Sequence, residues 1–193
     1  MFKFIDRYLN PPTSLIGKSA QEISALNTLA EEKKSPFAQY TGETHSVMAM
    51  DTTTSCSEAE WLVGQGIITK NDKAVLSLIN KLIFSTSLQI HTFLALEGVH
   101  LELDEVKQIL FRLKKKSFVT AIEFHSPTGK SAFKVYCLGY HGTNLIKAQG
   151  QKLLGQIRFI NEKPSSDIKR HLASNQLISK LMIHYGGTFQ NNV

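Results

Sequence analysis

The sequence predicts a mainly α-helical chain carrying one small β-hairpin. Three observations predict it. Apolar residues recur with helical spacing in three successive stretches, beginning near residues 72, 86 and 104. Two runs rich in β-branched and aromatic residues follow, Phe118–His125 and Ser131–Leu138. Between these runs Ser126-Pro127-Thr128-Gly129-Lys130 is a five-residue loop with Pro and Gly, the connection of a hairpin. Helix, helix, helix, hairpin is the order of a winged helix-turn-helix.

Each element has its own signal. The first 33 residues hold an aromatic start, a Pro11-Pro12 break and a helical stretch. Ser19-x-x-Glu22 forms a capping box, and Ile23, Leu26, Leu29 and Ala30 then share a face. Residues 1–33 are thus expected to form a short helical arm. From Lys34 the pattern disappears. Pro36, Gly42 and the run Asp51-Thr52-Thr53-Thr54-Ser55 mark a partly disordered linker over 34–69, longer than a compact domain normally holds. Within it a short helix is expected around Glu58–Val63, with Trp61 as its anchor.

Residues 70–160 are expected to form the winged helix-turn-helix domain. Asn71 or Asp72 caps its first helix, whose stripe is Val75, Leu76, Ile79, Leu82 and Ile83. Thr86-x-x-Gln89 is a second capping box. The helix it opens carries Leu88, Phe93, Leu94 and Leu96 and stops at Gly98. The third helix, about Asp104–Lys116, carries Val106, Ile109, Leu110 and Leu113. A further helix is expected from about His141 to Leu154. The last segment, 161–193, holds an amphipathic helix over about Ser166–Tyr185, ended by Gly186-Gly187. Its stripe is Ile168, Leu172, Ile178, Leu181 and Met182. A homodimer is expected, with its interface on this stripe, on the first helix of the domain, or on both.

The charge is unevenly placed. Residues 70–160 carry 13 Lys/Arg against 6 Asp/Glu, a balance of +7, whereas residues 1–69 carry 5 against 8, a balance of −3. A basic middle segment points to a polyanionic partner, most often nucleic acid. No run approaches the 18 apolar residues of a membrane span. The start Met1-Phe2-Lys3-Phe4-Ile5-Asp6-Arg7 lacks the pattern of a signal peptide. Two cysteines, Cys56 and Cys137, cannot build a disulfide framework, and a reducing, cytoplasmic setting is expected.

The order of motifs resembles a known family. Thr86-x-x-Gln89-Ile90 opens a helix, and Val106-x-x-Ile109-Leu110-x-Arg112-Leu113-x-x-Lys116 is followed by Val119. The hairpin, Tyr136-x-Leu138, and Gly142 before Leu145-Ile146 come next, with His171-Leu172-x-x-Asn175-x-Leu177 later. Roughly residues 70–180 resemble the winged-helix proteins of the replication-relaxation type, found on Gram-positive plasmids and other mobile elements. The resemblance implies double-stranded DNA binding in transcription regulation, replication or conjugative transfer. Residues 1–69 resemble nothing recognised.

The third helix of a helix-turn-helix enters the major groove, which admits one helix. At 100° per residue, its face opposite the apolar stripe holds Asp104, Lys107, Gln108, Phe111, Arg112 and Lys115. Arg112 has the geometry to pair with guanine and Gln108 with adenine. Phe111 is unexpected there. It meets either a thymine methyl, another subunit or the N-terminal segment. Lys114, Lys115 and Lys116 end the helix and reach for phosphates, and Lys130 and Lys134 on the hairpin extend the contact. Glu102, Asp104 and Glu105 favour the helix dipole but repel phosphate. An alternative reading makes the domain a protein-interaction module, with Phe111 on a partner and residues 1–69 as a tether or partner site.

No catalytic set emerges, and no enzyme activity or cofactor is expected. Gly129-Lys130-Ser131 mimics the end of a P-loop but lacks the first glycine and the following helix. Cys137 and His141 lie four apart, and His125 stands across the hairpin. Two or three such residues fall short of a zinc site, and a buried Cys137 is the expectation.

Overall fold

A computed structural model describes residues 37, 42–48, 56–125, 131–155 and 163–185. Along them run strand β1 (Thr44–Val47) and helices α1 (Cys56–Gly64), α2 (Lys70–Leu82), α3 (Ser87–Leu96) and α4 (Leu103–Lys115). Strands β2 (Val119–His125) and β3 (Ser131–Leu138) follow, then helices α5 (Tyr140–Ala148) and α6 (Ser165–Tyr185). The chain is mainly helical with a small antiparallel sheet of order β1-β2-β3, one strand more than the expected hairpin.

The caps explain where the three central helices begin. Thr69, rather than Asn71 or Asp72, caps α2: its hydroxyl accepts from the Asp72 N–H at 3.2 Å, and the Asp72 carboxylate accepts from the Thr69 N–H at 2.8 Å. These reciprocal bonds satisfy two orphan donors of the first turn. In α3 the expected Thr86/Gln89 box forms, and Gly98 follows the helix at φ 80°. At α4 the Glu105 carboxylate accepts from the Glu102 N–H at 2.8 Å. The acidic helix start therefore has a folding role.

Among the described residues, two apolar clusters form the interior. The larger joins Val75, Leu76 and Ile79 of α2, Ile90 and Phe93 of α3, and Val106, Leu110 and Leu113 of α4. It also takes Leu62 and Ile68 from before residue 70 and Met182 from α6. The smaller lies under the sheet and joins Phe84, Ile122, Phe124, Val135, Cys137, Ile168 and Leu172. Each such fully buried large side chain contributes about 1.5–3 kcal/mol relative to exposure.

Backbone approaches set the position of α5. The Gly139 N–H donates to the Phe118 carbonyl at 2.9 Å and the His141 N–H to the Ser117 carbonyl at 3.1 Å. A Cβ at Gly142 would stand 2.1 Å from the Phe118 oxygen, so only glycine allows this contact. The helix ends at Ala148, short of the expected Leu154, because Gly150 turns left-handed at φ 70°. Asn80 holds the chain beyond, donating to the Lys152 carbonyl at 2.9 Å and accepting from the Leu154 N–H at 3.1 Å.

The region expected as linker contains two elements. β1 pairs with β2, Thr44 opposite His125 and Val47 opposite Ile122. Thr44-His45-Ser46-Val47 is too short and polar to read as a strand by itself. Its pairing comes from the open edge of β2 and from the His45 ring stacked on Phe124 at 5.5 Å. The expected short helix is present as α1, but Trp61 is not its anchor. Trp61 is exposed, while Ala59 and Leu62 are buried, and α1 packs on α5. The arm at 1–33, the Thr-rich run at 51–55, the hairpin tip at 126–130 and the Gly186-Gly187 stop lie outside the described residues.

The C-terminal helix corrects the expected dimer stripe. Ile168 and Leu172 are fully buried, Met182 is buried, and Ile178 packs against the larger cluster. Four of the five residues thus cover the domain's own core, and only Leu181 is exposed, at 46%. A helical stripe marks a face that must be covered without saying by what. The exposed apolar residues of α6 are Leu177, Leu181, Ile183 and Tyr185.

Candidate nucleic-acid interface

The buried stripe of α4 fixes which side chains look outward. Val106, Ile109, Leu110 and Leu113 are buried, as the spacing predicts. Lys107, Gln108, Phe111, Arg112, Lys115 and Lys116 are exposed, and Lys114 is half-buried. The arrangement differentiates these residues further.

Arg112 is held by a structural partner. Its guanidinium donates to the Asp72 carboxylate at 2.5 Å, and that carboxylate is fully buried. Asp72 also accepts from the Thr69 hydroxyl at 2.9 Å. One carboxylate therefore caps α2 and anchors α4. The expected pairing of Arg112 with guanine must compete with this charge-assisted bond. Lys107 is paired with Asp104 at 2.8 Å, both exposed, and that hydrogen bond and charge hold the Asp104 carboxyl below its ordinary range. Such exposed pairs exchange readily for other partners.

Phe111 is 58% exposed, and the Lys115 ammonium sits 4.5 Å above its ring. The geometry is that of a cation–π contact. Gln108, one turn earlier, is exposed on the same face. Lys114 reaches back to the Met48 sulfur at 3.5 Å, beside the end of β1. Lys116 caps the helix C-terminus, and its carbonyl accepts from Nδ1 of the buried His141 at 2.6 Å. On the sheet, Lys134 lies opposite Glu123 with 3.6 Å between ammonium and carboxylate, and it is 46% exposed. Lys130 lies outside the described residues.

Two cations escaped the sequence reading. Lys70 and Lys73 are exposed in the first turn of α2, on either side of Asp72. The Asp72–Arg112 pair brings that turn to α4. No local signal carried this, since the pair spans 40 positions of chain.

Gln89, His171 and Asn175 lie away from this face and hold the fold together. The Gln89 amide donates to the Leu172 carbonyl at 2.7 Å. The Asn175 amide donates to the carbonyls of Leu82 at 3.1 Å and Phe84 at 2.7 Å. Those carbonyls flank Ile83, a β-branched residue held at φ 63°. His171 packs on Phe84 with ring centroids 5.6 Å apart. Together they tie α6 to the α2–α3 turn.

Cys137 is buried, and its thiol donates weakly to the Thr120 carbonyl at 3.7 Å. Burial pushes that thiol up to about 12, so it is unreactive at neutral pH. The register sets Thr120, not His125, opposite Cys137. Among the described residues no group of three His, Cys, Asp or Glu is placed to hold a metal ion, and no helix is long and apolar enough to cross a membrane. No family model matches the chain, and no curated protein and no solved structure shows significant similarity to it.

Proposed function

We propose that the chain is a double-stranded DNA-binding protein built as a winged helix, with α4 in the major groove and the β2–β3 hairpin along the backbone. The observation that carries the reading is the outward face of α4. It presents Lys107, Gln108, Phe111, Lys115 and Lys116 to solvent from a helix whose other face is locked in the core, with Lys70 and Lys73 alongside. The connectivity supports it. Ser85, between α2 and α3, exchanges backbone hydrogen bonds with Tyr136 of β3 at 3.0 and 2.8 Å. A winged helix likewise pairs the segment between its first two helices with the last strand of the hairpin. The resemblance in residues 70–180 supports a role in transcription regulation, replication or transfer of a mobile element. The exposed Leu177, Leu181, Ile183 and Tyr185 of α6 support assembly as a dimer on paired half-sites.

Selection of bound duplexes from a random pool at about 0.1 M salt, where screening acts over about 10 Å, tests this. An enriched repeat is the expected result, and its spacing reports the dimer geometry. The triple substitution Lys114→Ala, Lys115→Ala, Lys116→Ala is expected to weaken binding and to make the slope of log affinity against log salt shallower by about 0.9 for each phosphate contact removed. No retardation of any duplex at low salt would overturn the reading in favour of a protein-interaction module.

A further inference from the structure

We propose that α4 reads adjacent A·T base pairs, with Phe111 seated on a thymine methyl, Gln108 on adenine, and Arg112 withheld from guanine by Asp72. This deepens the DNA-binding reading and rests on it. Among the outward side chains of α4, the strongest guanine reader is already engaged. Arg112 is tied to a fully buried carboxylate that the α2 cap also uses. Releasing it would leave that carboxylate buried with less compensation. Lys115 is drawn over the Phe111 ring and Lys107 toward Asp104.

Gln108 and Phe111 remain to face base edges. The chemistry of each selects the same pair. A Gln amide matches adenine N6 and N7 bidentately. The major-groove edges offer one apolar group, the thymine C5 methyl, and Phe111 is the one large apolar side chain exposed on α4. The two residues lie three apart on α4, about 4.5 Å along its axis. That is little more than one base-pair step of about 3.4 Å. They therefore address neighbouring pairs. The Lys115 ammonium holds the ring in place before DNA arrives, which lowers the ordering cost of the contact.

The test uses the full chain and the duplex obtained by selection. Each thymine is replaced in turn by deoxyuridine, which deletes only the methyl. One thymine is expected to show a loss of about fourfold in affinity, the worth of one buried methyl group. Phe111→Ala is expected to bind more weakly and to lose that sensitivity, while retaining the native circular dichroism spectrum because the side chain is exposed. Gln108→Ala is expected to relax the preference at the neighbouring adenine by about tenfold. Arg112→Lys is expected to leave the enriched sequence unchanged. DNA binding with no deoxyuridine effect, or with the same effect in wild type and Phe111→Ala, overturns this inference alone. An enriched guanine lost in Arg112→Lys also overturns it. Absence of any DNA binding at low salt overturns both this inference and the function on which it rests, and assigns Phe111 to a protein contact.

Discussion

Two of the carboxylate–cation pairs among the described residues differ in what they leave to solvent. Asp72–Arg112 joins α2 to α4 with a fully buried carboxylate and a guanidinium that is 49% exposed. Glu43–Lys169 joins the residue before β1 to α6 with both partners hidden, Lys169 at 2% and Glu43 at 4% exposed. The Lys169 ammonium also faces the rings of Phe124 and Phe133 at 5.5 and 5.7 Å. Burial holds Lys169 below its ordinary range, against the hydrogen bond and charge of Glu43, which raise it. The contrast teaches what each pair is for. The hidden pair ties the residue before β1 to the C-terminal helix, with both side chains out of solvent. The half-open pair sets the surface proposed to meet DNA, by deciding which side chains of α4 remain available.

The comparison is broken most strongly at the hidden pair. Glu43→Gln removes the negative charge facing the buried Lys169 ammonium, and a loss of about 3 kcal/mol is expected in urea unfolding. The double substitution Glu43→Leu, Lys169→Met should recover most of it, since an apolar pair of similar volume replaces the ions without a desolvation cost. A double variant as unstable as the single one would show that the contact matters for shape rather than charge.

At the half-open pair, Asp72→Ala removes a reciprocal cap and a charge-assisted bond. The expected loss is about 2–3 kcal/mol, smaller because Arg112 regains water. Equal losses at the two pairs would erase the distinction between them. Asn175→Ala should cost about 1–2 kcal/mol, because the Leu82 and Phe84 carbonyls lose their donor at the strained Ile83 turn. A neutral result would mean that water replaces the amide there.

Acid should destabilise the molecule through two histidines, His45 on β1 and His171 on α6. His45 accepts or donates at Ser165 Oγ, 2.7 Å away, and burial holds its imidazole below the ordinary value. His171 is held low by burial first and then by the charges of Lys163 and Arg170, with Asp167 opposing. Below the ordinary imidazole value of about 6.5 the unfolded chain binds protons that the folded chain resists. Stability present above that pH is therefore lost as pH falls through the folded values. The Tm should drop between pH 7.5 and 5.0, and the double variant His45→Asn, His171→Asn should show a flatter dependence. The smallest effect is expected at Lys134→Gln, within about 0.5 kcal/mol of wild type, because an exposed ion pair contributes little. Its reading is the salt slope of DNA binding, expected to become shallower by about 0.9.

Much of the fold was legible because local physics writes it. The Thr86-x-x-Gln89 box, Gly98 after α3 and the apolar spacing of α4 each act within one or two turns, and each stands where the pattern placed it. The cap of α2 was misplaced because Asp72 serves as the returning acceptor in a Thr-x-x-Asp box, where Glu or Gln is the usual sign. At the candidate site the outward face of α4 was readable from periodicity alone. The engagement of Arg112 was not, since it depends on a carboxylate from another helix.

The sequence by itself determined which helices form, where the hairpin lies and which faces of α2 and α4 are apolar, because these follow from caps, turn residues and periodicity within a few residues of chain. Only the tertiary structure decided what covers each apolar face, which cation is tied and which is open, and that Thr44–Val47 is a strand. Those outcomes rest on contacts between distant segments, such as Glu43 with Lys169 and Gln89 with Leu172. A burial requirement is written locally, but its partner is chosen by whichever surface the folded chain brings within reach.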